Sequence, residues 1–108
     1  MNILLFLLAG HALCDYPLQG DFLSRGKNHK TPFPGMDYRQ LLLAHCFIHM
    51  GMVLLITQSW QLALCELIIH FLADYSKCEG TIDFNTDQAI HYGCKVLWAA
   101  VVFFGGTK

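Results

Sequence analysis

Four long apolar runs, at residues 2–16, 38–57, 60–75 and 87–104, alternate with polar stretches, and within each run polar side chains recur one helical turn apart. That pattern predicts four helices. The second and fourth runs approach the ~20 residues that cross a bilayer core, whereas the first and third need flanking residues or local thinning. Residues 17–37 hold Arg25, Lys27, Lys30, Pro32, Pro34 and Gly35 and read as a loop with an interfacial turn. Tyr16-Pro17 ends the first helix. Asp37 with Gln40, and Asn85 with Gln88, place a capping residue three before a Gln at the starts of the second and fourth helices. The turn at Gln58 and Ser59 is so short that the helices it joins must be antiparallel neighbours. The expected fold class is all-α: a four-helix transmembrane bundle in one integral membrane domain over residues 1–108, with loops at 17–37 and 76–86 at one end.

Composition agrees with a membrane address. Of 108 residues, 55% are hydrophobic, the mean hydropathy is +0.41 and the net charge is −1. No basic stripe or RNA-type aromatic motif is present, so nucleic acid is set aside as a partner. The five cysteines, Cys14, Cys46, Cys65, Cys78 and Cys94, include no Cys-x-x-Cys pair. They indicate neither a disulfide framework nor a zinc ribbon. The first fourteen residues could pass for a secretory or lipoprotein signal, but no Lys or Arg precedes the apolar run, and His11 and Leu13 stand near Cys14 where cleavage wants small residues.

The halves of the chain share a weak repeat. HALCDY at 11–16 matches HFLADY at 70–75, and HCFIH at 45–49 is followed in the second half by DQAIH at 87–91. This is the pattern of a duplicated helical hairpin whose halves enter the membrane in one orientation, related by an axis along its normal.

The repeated elements carry the candidate chemistry. His11/Asp15, His45/His49, His70/Asp74 and Asp87/His91 are i, i+4 pairs, so each pair shares one helix face with Cβ atoms about 5–6 Å apart. That spacing suits two ligands of one ion, as on the zincin helix. The pairs fall near the C-terminal ends of the first and third helices and the N-terminal ends of the second and fourth. In antiparallel hairpins those ends coincide, so all eight groups converge at one level. A charged residue at mid-membrane costs about 2.5–3.5 kcal/mol on insertion scales, which turns these groups inward. A divalent cation then neutralises the carboxylates while neutral imidazoles supply lone pairs. Imidazole with carboxylate favours zinc first, with iron or manganese next, over calcium. Five His with three Asp could serve one ion with outer partners, or two ions sharing a carboxylate. Two competing readings are a metal-free hydrogen-bond network and haem held by two histidines, which the Asp content disfavours.

Glu66 lies one turn before His70 and Lys95 one turn after His91, so antiparallel packing should pair them one layer deeper. Gln19 and Asp21, with Arg25 and Lys27, follow the first helix and could roof the site and orient an anionic substrate, or form a solvated loop. Trp60 and Trp98 read as interface or packing residues. Arg25, Lys27, Lys30, Arg39 and Lys77 lie in or beside the site-end loops, which the positive-inside rule turns to the cytoplasm, leaving both termini outward. The expected location is the bacterial cytoplasmic membrane.

With these residues in view, HALCDYPLQGDFLSRGK, LLLAHCFIH, HFLADYSK and DQAIH resemble an uncharacterised bacterial and phage membrane family, the domain of unknown function numbered three thousand three hundred and seven. The resemblance covers nearly the whole chain. Its first block has His, Asp, Leu-Gln and Asp where this chain has His11, Asp15, Leu18, Gln19 and Asp21. His45, His49, His70, Asp74, Asp87 and His91 match the later blocks. Tyr16-Pro17 stands where relatives carry Phe and an aliphatic residue. The family brings no activity with it. A more distant similarity is to membrane proteins suspected of metal-dependent hydrolase activity.

The expected function is an integral membrane metalloprotein, with metal-dependent hydrolysis of a lipid or phosphoester as the candidate reaction. A cluster His or Asp that holds no metal would be the general base, and membrane lipid or the interface would supply the substrate. The alternative is a non-enzymatic module: a metal carrier or sensor, or a phage-encoded host-interaction factor, with a homo-oligomer open to either reading. Continuous apolar sequence at 50–56 and 96–104 argues against a transport route beyond the site.

Overall fold

The computed structural model describes residues 2–105 and contains five helices: α1 Ile3–Asp15, α2 Gly20–Gly26, α3 Tyr38–Thr57, α4 Trp60–Glu79 and α5 Phe84–Gly105. Among the described residues there is no strand. Helices α1, α3, α4 and α5 form an up-and-down bundle, 45 × 22 × 22 Å in extent. Each packs on two neighbours in the ring α1, α3, α4, α5, so α1 stands opposite α4 and α3 opposite α5. A twofold rotation along the bundle would superpose the two hairpins in this order, as a duplicated hairpin requires.

Local chemistry sets the element ends. Asn2 accepts the amide of Leu5 at 3.2 Å, and Ser59 Oγ accepts that of Leu62 at 3.3 Å, each at a helix N-cap. Gln58 takes a left-handed conformation with φ 57°, which closes α3 and reverses the chain within two residues. Gly80, at φ 91°, ends α4 in the same way, its amide donating to Ser76 and Lys77 carbonyls.

Three boundaries differ from the sequence expectation. Residues 20–26 form α2 rather than loop, bent 80° from α1 after Pro17, so this short helix lies across the end of the bundle. Helix α4 continues four residues past Tyr75, because Ser76, Lys77, Cys78 and Glu79 are polar without being helix breakers. Helix α5 begins at Phe84, and its first turn is capped by Asp83, whose Oδ1 accepts the Thr86 amide at 2.7 Å, instead of by Asn85.

The four expected spans fare differently. Only α3 is long and apolar enough to cross a membrane, or two units are if α1 and α2 count as one broken span. Helix α1 has only 13 residues, and α4 and α5 carry Glu66, Asp74, Lys77, Asp87 and Lys95 within their lengths.

Burial follows an inside-out order. His45 and His70 are completely buried, while Leu55, Trp60 and Leu72 are 69%, 63% and 61% exposed. At the end opposite α2, Leu7, Val53, Leu62 and Trp98 form a compact apolar core. Toward the α2 end the interior is polar. Gly26 secures α2 on α3: a Cβ there would run into Leu41 and press on Phe33. Gly26→Ala is therefore expected to destabilise by about 1–3 kcal/mol through overpacking, read as a lowered midpoint of thermal unfolding; an unchanged midpoint would show that α2 is not held there.

Candidate metal centre

The polar interior is built in layers. Deepest is Glu66, on the inward face of α4. Its Oε1 accepts from Lys95 Nζ at 2.8 Å and from Trp98 Nε1 at 2.9 Å, and its Oε2 meets His70 Nδ1 at 3.0 Å. All four side chains are buried. Lys95 and Trp98, one turn apart on α5, thus close the floor of the polar region against the apolar core. Trp98 had no signal of this role in the sequence, where its indole is one aromatic in an apolar run.

Above this floor lie five imidazoles from four helices. His49, His70 and His91 form a stacked column with ring centroids 3.8 and 4.0 Å apart. His45 meets His49 and His70 edge-on at 4.8 and 5.0 Å, and His11 lies 5.1 Å from His49 and 5.4 Å from His91. The i, i+4 spacing on each helix, together with antiparallel packing, brings these rings to one level.

Carboxylates cap the imidazole layer. Asp15 Oδ1 is 2.9 Å from His49 Nε2 and 3.4 Å from His45 Nε2. Its Oδ2 is 3.2 Å from His11 Nε2 and accepts from Gln88 Nε2 at 3.0 Å. Asp74 Oδ2 is 3.3 Å from His45 Nε2 and accepts from Lys27 Nζ at 2.9 Å, and its Oδ1 is 3.4 Å from Lys77. Asp87 Oδ1 lies 3.1 Å from His91, and its Oδ2 lies 3.8 Å from Lys77. The eight residues paired by sequence spacing, His11, Asp15, His45, His49, His70, Asp74, Asp87 and His91, are thus brought into one continuous cluster.

The roof departs from expectation. Lys27 is buried and engages Asp74, because the chain leaving α2 turns inward there. Arg25 sits over the Phe33 ring at 5.5 Å instead of facing the site. Gln19 donates to the Asp15 carbonyl at 3.0 Å, and Asp21 lines a cavity of about 430 Å³ at this end of the bundle. Asp15, Lys27, Lys77 and Gln88 line the same cavity. Farther out, His29 stacks on Tyr75 at 4.2 Å and meets Glu79 Oε2 at 2.8 Å, strapping the loop to the end of α4. That hydrogen bond holds the Glu79 carboxyl below its usual range. The strap therefore works fully above ordinary glutamate values and is lost as pH falls through the lowered one.

Charge counting locates the place where a cation fits. Four carboxylates, Asp15, Glu66, Asp74 and Asp87, face three ammonium groups, Lys27, Lys77 and Lys95. Among the described residues, Asp15 alone of the four has no lysine within 4.0 Å. It stands instead among imidazole nitrogens: Asp15, His45, His49 and His70 each offer one ligand atom, all within 4.8 Å of one another. Tetrahedral zinc with bonds of 2.0–2.1 Å sets its ligand atoms about 3.3 Å apart. The separations here are 2.9 Å (Asp15 to His49), 3.4 Å (Asp15 to His45) and 3.2 Å (His45 Nε2 to His70 Nε2). His45 Nε2 has one proton at most, yet faces oxygens of Asp15 and Asp74 and the nitrogen of His70, while its buried Nδ1 has no partner. A cation supplies what this acceptor-rich set lacks. The donors fit a zinc, iron or manganese ion. Glu66 on His70 Nδ1 is the outer carboxylate that fixes a ligating imidazole with Nε2 free for metal. Two further groupings, Glu66/His70/His91 and Asp74/Asp87/His91, are also compact. Their carboxylates already have lysine partners.

The whole arrangement falls inside one matched region, residues 3–107. The chain belongs to the family described as protein of unknown function (DUF3307). The DUF3307 match thus takes in every helix and every residue of the cluster. No curated protein and no solved structure matches the chain.

The floor is the part of the DUF3307 chain most open to a stability test. Lys95→Met strands Glu66 in the interior and is expected to cost about 3–5 kcal/mol. The double variant Glu66→Gln with Lys95→Met should recover most of that loss. A double-mutant cycle of unfolding measures the coupling, and additive losses would dissolve the pair as an energetic unit.

Proposed function

We propose that the protein is a membrane-embedded metalloprotein whose ion is held by Asp15, His45, His49 and His70, and that it hydrolyses a phosphoester at the membrane surface. The observation that carries the metal reading is the position of Asp15, the site carboxylate without an ammonium partner, inside a ring of imidazoles.

The inside-out order supports the membrane part. Apolar side chains cover the outer faces of α1, α3, α4 and α5, and only 39% of the apolar stretch of α3 is buried inside the protein. A core helix of a water-soluble bundle would be mostly covered. In this reading the bundle sits in the cytoplasmic membrane as four spans, α1 and α4 with their polar residues turned inward. Helix α2 lies at the interface, with Leu18 and Phe22 exposed toward lipid. Arg25, Lys27, Lys30, Arg39 and Lys77 at that end favour a cytoplasmic orientation of the loops. Alkaline carbonate washing of membranes should leave the chain in the pellet, and release into the supernatant would remove the membrane from this proposal.

Access supports the hydrolytic part. The cavity reaches Asp15, one of the four ligands, from the α2 end; hydrolysis in this reading needs the ion to leave one coordination position to water, held by three of these four side chains or expanded to five-coordinate. When bound, a divalent ion would polarise a phosphoryl oxygen and lower the pKa of a water. The chain's own groups do the rest. His11, outside the proposed ligand set, is the group placed to accept a proton beside that set, its Nε2 3.2 Å from Asp15 Oδ2 and 3.0 Å from Gln88 Oε1. The stacked His49, His70 and His91 and the Glu66 floor keep the set oriented. Below them, the apolar core closes the route, so substrate enters and product leaves by one mouth.

Elemental analysis of detergent-purified protein tests the ion. About one zinc, iron or manganese per chain is expected in the wild type, with at least a tenfold weaker hold in Asp15→Asn, His45→Ala and His70→Ala. Equal, substoichiometric metal in all of them would sink this reading. The cluster would then stand as a metal-free polar network in a non-enzymatic module, which the three lysine pairs favour.

A further inference from the structure

The cavity above Asp15 is larger than an ion needs. At about 430 Å³ it has the size of a small-ligand pocket. Two ammonium groups form part of its wall, and both are poorly satisfied. Lys27 is 4% exposed, yet among the described residues its Nζ makes one hydrogen bond, to Asp74. A lysine carries three N–H donors. Lys77 is loosely held, 3.4 Å from Asp74 and 3.8 Å from Asp87. Gln88 adds a side-chain amide on the same wall, and Ser24 a hydroxyl. A buried ammonium with donors to spare, beside a half-buried second one, can receive an oxyanion. Asp15 and Asp21 line the cavity as well and oppose an anion. An ion on Asp15 removes the first of these objections.

We propose that this cavity binds the phosphate group of an anionic phospholipid, with Lys27 and Lys77 as the residues that hold it. The assignment rests on the membrane placement proposed above and names the substrate class of that site. Helix α2, set 80° from α1, carries the cavity's rim across the bundle end, and Leu18, Phe22 and Met36 around it are exposed and apolar; in the proposed membrane placement this rim would meet the lipid phosphates. A headgroup can enter there while its acyl chains stay in the bilayer.

The test is calorimetric titration of the full chain in micelles with three probes: inorganic phosphate, dihexanoyl phosphatidic acid and dihexanoyl phosphatidylcholine. Phosphatidic acid should bind more tightly than either of the others. Lys77→Met should weaken it about tenfold, the loss of one charge-assisted hydrogen bond, with Lys77→Arg restoring most of the affinity. Lys77→Met leaves Lys27 on Asp74 and His91 on buried Asp87, far-ultraviolet circular dichroism checks that it folds, and Lys77→Gln serves as a second charge-removing variant with the same expected loss. Equal affinity for inorganic phosphate and phosphatidic acid would overturn the lipid source. Affinity unchanged by Lys77→Met would overturn the site. Metal content, measured on the same samples, separates the two proposals: phosphatidic acid binding that depends on Lys77 in metal-free protein would uphold the anion site while removing the ion.

Discussion

Burying ionisable groups is costly unless each finds a partner, and that constraint organises this molecule from the floor of its polar interior to the roof. Glu66 is met by Lys95, Trp98 and His70. Asp74 is met by Lys27 and approached by Lys77, and Asp87 by His91 with Lys77 farther off. The α2 segment is part of the same solution, because it carries Lys27 into the bundle. Without it, Asp74 would face the imidazoles with one distant ammonium for company. The short helix that crosses the bundle end is thus an electrostatic component of the fold as well as a lid.

The duplicated pattern makes the asymmetry informative. Setting His11 against His70 and His49 against His91 also sets Leu7 against Glu66 and Val53 against Lys95. The first hairpin therefore supplies apolar residues where the second supplies an ion pair, and Leu7 and Val53 belong to the apolar core while Glu66 and Lys95 form the polar floor. In the other repeat element His45 stands against Asp87, and Cys46 against Gln88. Asp15 and Asp74, matched in the repeat, keep different company: imidazoles and the Gln88 amide around the first, Lys27 and Lys77 beside His45 and His70 around the second. Two similar carboxylates thereby came to differ in whether a further cation suits them.

Much of the site was legible because one rule, the i, i+4 neighbourhood on a helix, fixes which residues share a face, and short turns fix which helix ends meet. His11 with Asp15 and His70 with Asp74 could be read that way, and so could the depth of Glu66 relative to Lys95. Lys27, Gln88 and Trp98 could not. Lys27 reaches Asp74 across 47 positions and Gln88 reaches Asp15 across 73, and no local period announces contacts of that range. Helix α2 was missed for a related reason: seven residues with glycine at both ends carry too weak a periodic signal to stand out from a loop, and packing of Gly26 on Leu41 is a tertiary effect. Of the four expected spans, α3 alone has the length and hydropathy to cross a membrane, or α3 with α1 and α2 as one broken unit. Hydropathy counts the inward-facing polar residues of α4 and α5 against them, although those side chains meet one another rather than the surroundings.

The same layering decides which kinds of activity the molecule can support. A polar path runs from the cavity through Asp15, 3.4 Å from His45 Nε2, then through His45 and His70 to Glu66, and there it meets Lys95 and Trp98. Beyond lies the core of Leu7, Val53, Leu62 and Trp98, which offers no continuation in polar side chains. A proton can be redistributed within this network, yet the observed packing gives it no second exit. Among the described residues, the polar interior is thus open to the surface only at the α2 end. The polar cavity lies at the α2 end of the same path, and the ion pair of Glu66 with Lys95 closes the other end.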